Sequence, residues 1–172
     1  MVLPKRVLLS GKDESLPEQV PLRAGPLELI YEQGDLRSIR WAGREVLRRV
    51  YVAVRDRNWG TVAPALSQVR IQTRPDSFEI TYQVENRAGE IDFRWQGSIQ
   101  GGADGTIVFR MDGQAHSTFW RNRIGFCVLH PAGLAGRAAR AIYAGGESLQ
   151  AVFPVEFIPD QPVRPFADLT GL

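Results

Sequence analysis

Residues 77–100 read S-F-E-I-T-Y-Q-V-E-N-R-A-G-E-I-D-F-R-W-Q-G-S-I-Q, and this stretch decides the fold class. In each half, apolar residues alternate with polar ones, which is the pattern of a β-strand with one buried face. The N-R-A-G interruption at 86–89 predicts a short turn between the two halves. The stretch therefore predicts an antiparallel hairpin with one side facing a core and the other facing solvent.

The same alternation recurs along most of the chain, and glycine, proline or aspartate separates the segments. About ten short strands with almost no helix predict an all-β fold, an antiparallel β-sandwich of two sheets. A proline-punctuated tail follows residue 153, and it cannot form a central strand because each proline removes a backbone donor. Further hairpins and strands are predicted at 27–41, 44–55, 66–73, 107–111 and 138–153.

The composition predicts one ordinary globular domain. The chain has 172 residues, of which 44% are hydrophobic and 23% are charged. We predict an N-terminal arm or edge strand over 1–23 and the sandwich over 24–172. The apolar runs are shorter than the ~20 residues of a membrane-spanning helix, and no stretch near the N-terminus has the length of a secretory signal. These features predict a cytoplasmic protein with no membrane partner.

Charge and motif content argue against several other classes of protein. The net charge is only +2, because 21 basic residues face 19 acidic ones, so no nucleic-acid partner is expected. His116, Cys127 and His130 lack the spacing of metal ligands, and no G-x-S-x-G motif is present. We therefore expect no metal, no cofactor and no serine nucleophile, with Cys127 as a small buried residue.

The densest group of reactive side chains is S-T-F-W-R-N-R-I-G-F-C-V-L-H-P at 117–131. Arg121, Asn122 and Arg123 put strong donors next to a glycine-containing strand, and guanidinium groups suit carboxylates and hydroxyl oxygens. An ion pair with a carboxylate such as Asp56 or Asp168 would explain an arginine equally well. The triplet predicts either a polar cleft or a set of structural contacts.

A second polar cluster, R-D-R-N-W-G-T, spans 55–61 and has an aromatic residue near its centre. The face of Trp59 could stack on a sugar while Arg55 and Asp56 bind its hydroxyls. A buried tryptophan beside a structural Arg–Asp pair remains the alternative. His130, which ends an apolar strand before a proline, is either a site residue or a hydrogen-bonded structural histidine.

Together with F-P-x-x-F-I-P-x-Q-P…P-F-x-D at 153–168, these clusters carry a family resemblance. The chain resembles the N-terminal domain of D-apionate lactonase-like proteins over roughly 24–168. The segments A-G-P-L-E-L at 24–29 and G-D-L-R-S-I-R-W at 34–41 agree in order and spacing. The resemblance implies a galactose-mutarotase-like supersandwich, which in full-length relatives is followed by further strands and a barrel with a hydrolase site.

The resemblance also implies the function. Because the chain stops at Leu172, we expect an incomplete supersandwich that binds a sugar, sugar acid or lactone and has no complete active site. One alternative is a structural module that braces a C-terminal barrel or forms a homodimer through an exposed sheet edge. The other is an epimerase-like or lactone-hydrolysing enzyme, with His130 as its catalytic residue because His130-Pro131 resembles the His-Pro element of mutarotases. The candidate ligand-binding residues are Arg55, Asp56, Trp59, Arg121, Asn122, Arg123, His130, Gln161 and Asp168.

Overall fold

The computed structural model describes residues 3–11, 13–156 and 169–171, and this part of the chain is nearly all β. The chain divides into two compact units, Met1–Leu129 and His130–Leu172. The predicted boundary between residues 23 and 24 stays a prediction. In the described residues the first unit contains α1 (Lys5–Ser10), β1 (Val20–Ala24), β2 (Leu27–Glu32), β3 (Asp35–Trp41), β4 (Arg44–Asp56), β5 (Pro64–Thr73), β6 (Phe78–Ala88), β7 (Ile91–Gly101), β8 (Ile107–Ala115) and β9 (Arg121–Leu129).

Two antiparallel sheets form the first unit, with the orders β1-β2-β3-β4-β9 and β5-β6-β7-β8. The predicted all-β, antiparallel, sandwich-like fold is confirmed. Alternate side chains of both sheets point into a shared core, so each strand buries one face. The largest side chains that are fully buried are Tyr82, Leu36, Ile80, Ile99, Val54 and Val84.

The hairpin predicted from residues 77–100 is confirmed as β6 and β7, which pair without a break from Phe78↔Gly101 to Ala88↔Ile91. The rings of Tyr82 and Trp95 meet edge to face, with their centroids 5.6 Å apart. Gly97 lies opposite Tyr82. Only glycine fits at this position, because a Cβ atom there would lie 2.4 Å from the tyrosine ring. The Tyr82 ring therefore packs directly against the backbone of the neighbouring strand, with no room for a side chain between them.

Asn86 was expected in the turn, and this expectation is wrong. The strand continues to Ala88, and Asn86 is buried, with 2% of its surface exposed. Its side-chain oxygen accepts a hydrogen bond from Trp95 Nε1 at 3.0 Å, and its Nδ2 donates to the carbonyl of Val62 at 2.9 Å. Two partners distant along the chain therefore override the turn preference of asparagine.

The hairpin predicted at 27–41 is confirmed as β2 and β3, and the strand predicted at 44–55 is confirmed as β4. β9 pairs with β4 from Arg49↔Leu129 to Asp56↔Arg121, and it forms the edge of the five-stranded sheet. Val54 and Ile124, which lie opposite each other, belong to the core and its packing shell. Their neighbours Arg55 and Arg123 therefore project from the other face of the sheet.

The second unit contains a short 3₁₀ turn (Ala132–Leu134), β10 (Ala138–Tyr143), β11 (Ser148–Val152) and β12 (Leu169–Gly171) in its described part. The strands lie in the order β11-β10-β12, and the hairpin predicted at 138–153 is confirmed. Most of the predicted proline-rich tail, 157–168, lies outside the described residues. None of the described helical segments has the length and apolar character that a membrane-crossing helix requires.

Candidate functional site

Asp56 organises the loop that follows β4. Its Oδ1 atom accepts hydrogen bonds from the backbone N–H groups of Asn58 and Gly60, both at 2.8 Å. Its own N–H donates to the carbonyl of Gly60 at 2.9 Å, and the N–H of Trp59 donates back to the carbonyl of Asp56 at 3.2 Å. An aspartate that bonds to the backbone two and four residues ahead closes a tight loop. The Asp56 carboxylate is thus engaged in holding this loop.

Arg55 holds the same loop from its other side. Its Nη1 donates to the carbonyl of Trp59 at 3.2 Å and to the hydroxyl of Thr61 at 2.9 Å. Trp59 itself has a positive φ of 68° and 53% of its surface is exposed. The alternative of a buried tryptophan is therefore wrong. A bulky residue with positive φ is strained, and strain of this kind clusters at binding and catalytic sites.

The donor triplet of β9 begins beside this loop. Arg123 lies directly opposite Arg55, and its guanidinium carbon is 5.9 Å from the centre of the Trp59 ring. Arg121 lies opposite Asp56, and Asn122 is the extra residue of a β-bulge between these two pairs. The structure places no ion pair between Asp56 and either arginine of β9. Within the described residues, the side chains of Arg121 and Asn122 make no hydrogen bond or ion pair.

A small open cleft of about 300 Å³ adjoins these residues. One wall is the indole of Trp120, which is 75% exposed. Sequence reasoning missed Trp120 as a site residue. The signal in the sequence was the pair Phe119-Trp120, since adjacent residues of an extended segment point to opposite sides. Phe119 packs against the core, so Trp120 faces outward. The cleft is lined by Asp56, Arg57, Asn58, Ala88, Gly89, Glu90, Ile91 and Trp120.

We call this region the tryptophan cleft: Trp59, Trp120, Arg121 and Arg123 together with the loop 56–60. Of the six predicted residues of the first unit, Asp56 lines the cleft itself. Arg55 and Arg123 contact the loop at Trp59, and Arg121 and Asn122 follow next to them on β9. A larger cavity of about 610 Å³ lies over β1 to β3 and contains none of the predicted residues. The tryptophan cleft remains the better candidate for sugar chemistry, because only it combines exposed aromatic faces with unpaired donors.

His130 belongs to the second unit. Its ring lies 4.8 Å from that of Phe153, measured between centroids, at a tilt of 51°. Burial lowers the pKa of the imidazole below its ordinary value of 6.5, so the neutral form is favoured. No carboxylate forms an ion pair with it in the described part of this unit. Gln161 and Asp168 lie outside the described residues.

Metal binding and thiol chemistry are two other possibilities for this protein. In the part of the chain that is described, no three His, Cys, Asp or Glu side chains gather closely enough to hold a metal ion. Cys127, predicted as a buried residue, is half-buried and lies opposite Tyr51 on the outward face of the sheet. Burial and the neighbouring thiol raise the pKa of Tyr51, so the phenol stays protonated at neutral pH.

Comparison with known proteins identifies the family. The family described as D-apionate lactonase, N-terminal domain, matches residues 7–171. The chain belongs to this family. It is also 34% identical over 169 residues to a D-apionate lactonase of Brucella anthropi, covering 95% of this chain and 27% of that protein. No solved structure matches the chain.

The D-apionate lactonase N-terminal domain family thus accounts for nearly the whole chain, and the predicted resemblance is confirmed. The chain spans about a quarter of the length of the curated lactonase that it matches. The shared region includes both β4 and β9, so the tryptophan cleft lies within the part that defines the family.

Proposed function

We propose that this chain is a sugar-acid or lactone-binding domain of a lactonase-like protein and that the tryptophan cleft holds the ligand. One observation carries the proposal. Trp120 and the loop that carries Trp59 border one cleft, both tryptophans are exposed, and Arg121, opposite Asp56 of that loop, has no acidic partner among the described residues. Exposed aromatic side chains that cluster around a cleft mark interaction sites, whereas singly scattered ones are ordinary surface.

The chemistry of the cleft suits a polyhydroxylated acid. Indole faces can pack on the C–H surface of a sugar chain, while an arginine fork can grip a carboxylate with two parallel hydrogen bonds. Amide groups near the cleft, those of Asn58 and Asn122, are suited to hydroxyl groups. The tight loop centred on Asp56 keeps Trp59 in place before a ligand arrives, which lowers the entropy cost of binding.

The proposal assigns binding to this chain and catalysis to another part of a longer protein. The name of the Brucella anthropi relative supports a link to a lactonase, and the match covers only 27% of that relative. Asp56 is engaged with its own loop and His130 has no acidic partner among the described residues, so neither supports general acid–base catalysis. A galactose-mutarotase-like supersandwich and a cytoplasmic location are parts of the same proposal.

Calorimetry can test ligand binding directly. We expect millimolar affinity for an aldonic acid or its lactone, and we expect Trp120→Ala to weaken it at least about tenfold because the stacking surface is lost. Trp41→Ala is the matched control, since Trp41 is 58% exposed on β3 and lies outside the cleft. Absence of binding by the wild-type chain at millimolar aldonic acids, lactones and simple sugars would overturn the proposal.

Catalysis by this chain is tested separately. We expect the wild type and His130→Ala to hydrolyse a sugar lactone at the same residual rate, because this proposal gives His130 no catalytic role. A clear loss of rate in the variant, with its fold intact by circular dichroism, would instead support the lactone-hydrolysing enzyme as the function.

A structural role is the second candidate, and the edge of the sandwich favours it. Phe126 and Val128 lie on the core-facing side of the edge strand β9, yet they are 43% and 47% exposed. The ring of Phe126 reaches Phe109 of β8, at a centroid distance of 4.9 Å. An apolar inner face left open at a sheet edge is suited to another protein surface, either a barrel or a second copy of the chain.

Sedimentation over a range of protein concentrations tests the second copy. A dimer through this edge should dissociate in Val128→Lys and persist in Val69→Lys, a matched change at an exposed valine on β5. A wild type that stays monomeric at every concentration would exclude the homodimer and leave only another domain as the partner.

A further inference from the structure

A second cavity lies away from the tryptophan cleft, among β1, β2, β3 and the turn between β5 and β6. Its volume is about 610 Å³, which is in the range of sites that hold compact small molecules. The turn between β5 and β6 contributes one wall. The cavity is lined by Pro21, Leu22, Arg23, Glu28, Leu29, Ile30, Ser38, Arg40, Thr73, Arg74 and Pro75.

The charges in this cavity do not balance. Arg23 and Arg40 both lie opposite Glu28 across the strands, and Arg74 enters from the turn after β5. Glu28 pairs with Arg23 at 2.7 Å. Three guanidinium groups against one carboxylate leave two positive charges, and Arg40 and Arg74 have no ion pair among the described residues. Closely placed arginines repel each other unless an anion joins them.

The second carboxylate that could neutralise Arg40 is engaged elsewhere. Glu45 lies opposite Arg40 on β4, but its side chain bonds to Arg48 at 2.8 Å. The excess positive charge therefore stays at the cavity.

The backbone around the cavity is also irregular. Ser38 and Ile39 of β3 together oppose the single residue Leu29 of β2, which makes a β-bulge. A second register shift follows between β3 and β4, at Ile39 and Arg40. Ser38, which lines the cavity, has a positive φ of 49°. Bulges redirect side chains, and unfavourable backbone angles of this kind concentrate at functional sites.

We propose that this cavity binds a small organic anion that carries a carboxylate or a phosphate group. Arg40 and Arg74 grip the anionic group from two directions, and Arg23 reinforces them while it stays paired with Glu28. The apolar side chains of Pro21, Ile30 and Pro75 cover a short carbon skeleton. Guanidinium groups form paired hydrogen bonds with both carboxylates and phosphates, so the shared chemistry is the oxyanion.

Backbone amide NMR on the full chain can locate such a ligand. We expect titration with citrate or with inorganic phosphate to shift the amide signals of Ser38 and Thr73 in a saturable way. Separate titrations with citrate and with phosphate show whether the cavity prefers a carboxylate or a phosphate group. Arg40→Gln and Arg74→Gln should each weaken the binding at least about tenfold. Arg110→Gln is the matched control, because Arg110 is an exposed arginine of β8 outside the cavity.

The amide shifts of the wild-type chain test the proposal even if a variant does not fold. Shifts that are absent, that do not saturate, or that centre on the loop 56–60 instead would overturn this proposal. An equal loss in Arg110→Gln would also overturn it, because it would show attraction to net charge rather than to a site. Binding that depends on Arg40 and Arg74 but not on Arg110 would support it, whatever the outcome at the tryptophan cleft.

Discussion

The hairpin β6–β7 and the pair β4–β9 are both long antiparallel pairs in the same unit, but they treat their polar side chains in opposite ways. In β6–β7 the one buried asparagine, Asn86, has partners for both its oxygen and its nitrogen. At the end of β4–β9 two arginines face each other, a bulge leaves Asn122 without a partner among the described residues, and Trp59 is strained and exposed. Regular pairing in β6–β7 therefore serves stability, whereas the irregular end of β4–β9 leaves polar side chains free for contact.

The largest difference between the two strand pairs is expected when an asparagine in each is replaced by leucine. Asn86→Leu should reduce the free energy of unfolding by about 3 kcal/mol, because Trp95 Nε1 and the carbonyl of Val62 both lose their partner inside the core. Asn122→Leu should change it by less than about 0.5 kcal/mol, since its amide has no hydrogen bond to lose. Urea denaturation followed by tryptophan fluorescence measures both. Equal losses would mean that Asn122 is as important to stability as Asn86.

A smaller effect is expected at the loop of the tryptophan cleft. Asp56→Ala should cost about 1 to 2 kcal/mol, because two backbone N–H groups lose a charged acceptor at 2.8 Å. Asp112→Ala is the control, since Asp112 is an exposed aspartate of β8. The measurement is thermal unfolding of both variants beside the wild type. If the two variants are equally stable, the contacts of Asp56 do not hold the loop.

Strain at Trp59 should give a difference of about 1 kcal/mol between two substitutions. Trp59→Gly should be more stable than Trp59→Ala, because only glycine accepts a φ of 68° without a steric penalty. Both variants should lose ligand binding, since neither has an indole. Denaturation and calorimetry on the same samples separate the two effects. An alanine variant as stable as the glycine variant would show that the loop relaxes on mutation.

The smallest expected effect is a dependence on pH, in the second unit rather than in either strand pair. Burial lowers the pKa of His130 in the folded state below its ordinary value of 6.5. The unfolded chain therefore binds a proton more readily, so stability is complete above about pH 6.5 and falls as the pH drops toward the folded pKa. His130→Phe keeps a ring against Phe153 and should remove this slope. Hydrogen exchange of β10 and β11 between pH 7 and pH 5 measures it, and an unchanged slope in the variant would assign the effect to another group.

The sequence was sufficient for most of the strands, because a sheet with one buried face must alternate apolar and polar residues. The hairpins at 77–100, 27–41 and 138–153 were all confirmed on that ground. Asn86 was misplaced because its role depends on Trp95 and Val62, and no local pattern shows such partners. Tertiary contacts of this kind override the local preference of a residue for turns.

The candidate site was predictable in part. The pairing of β4 with β9 brings together the predicted residues of these two strands and Trp59. His130 of the predicted set belongs to the second unit, and Gln161 and Asp168 lie outside the described residues. The sequence could not show that Arg55 and Asp56 would bond to their own loop, because that depends on the path of the backbone after β4. Arg40 and Arg74 were missed as well, since they are distant in sequence and meet only through the packing of the two sheets.

The edges of the sandwich limit how it can assemble. β1 contains Pro21, which has no N–H to offer, and β5 is interrupted by a bulge at which Gln68 has a φ of 50°. Both devices discourage pairing with another strand. The edges β8 and β9 lie on one side of the sandwich, where Phe109 meets Phe126. Within the first unit, we therefore expect strand-edge association at β8 and β9 rather than at β1 and β5, and a self-complementary contact there would close into a pair and would not grow into a fibre.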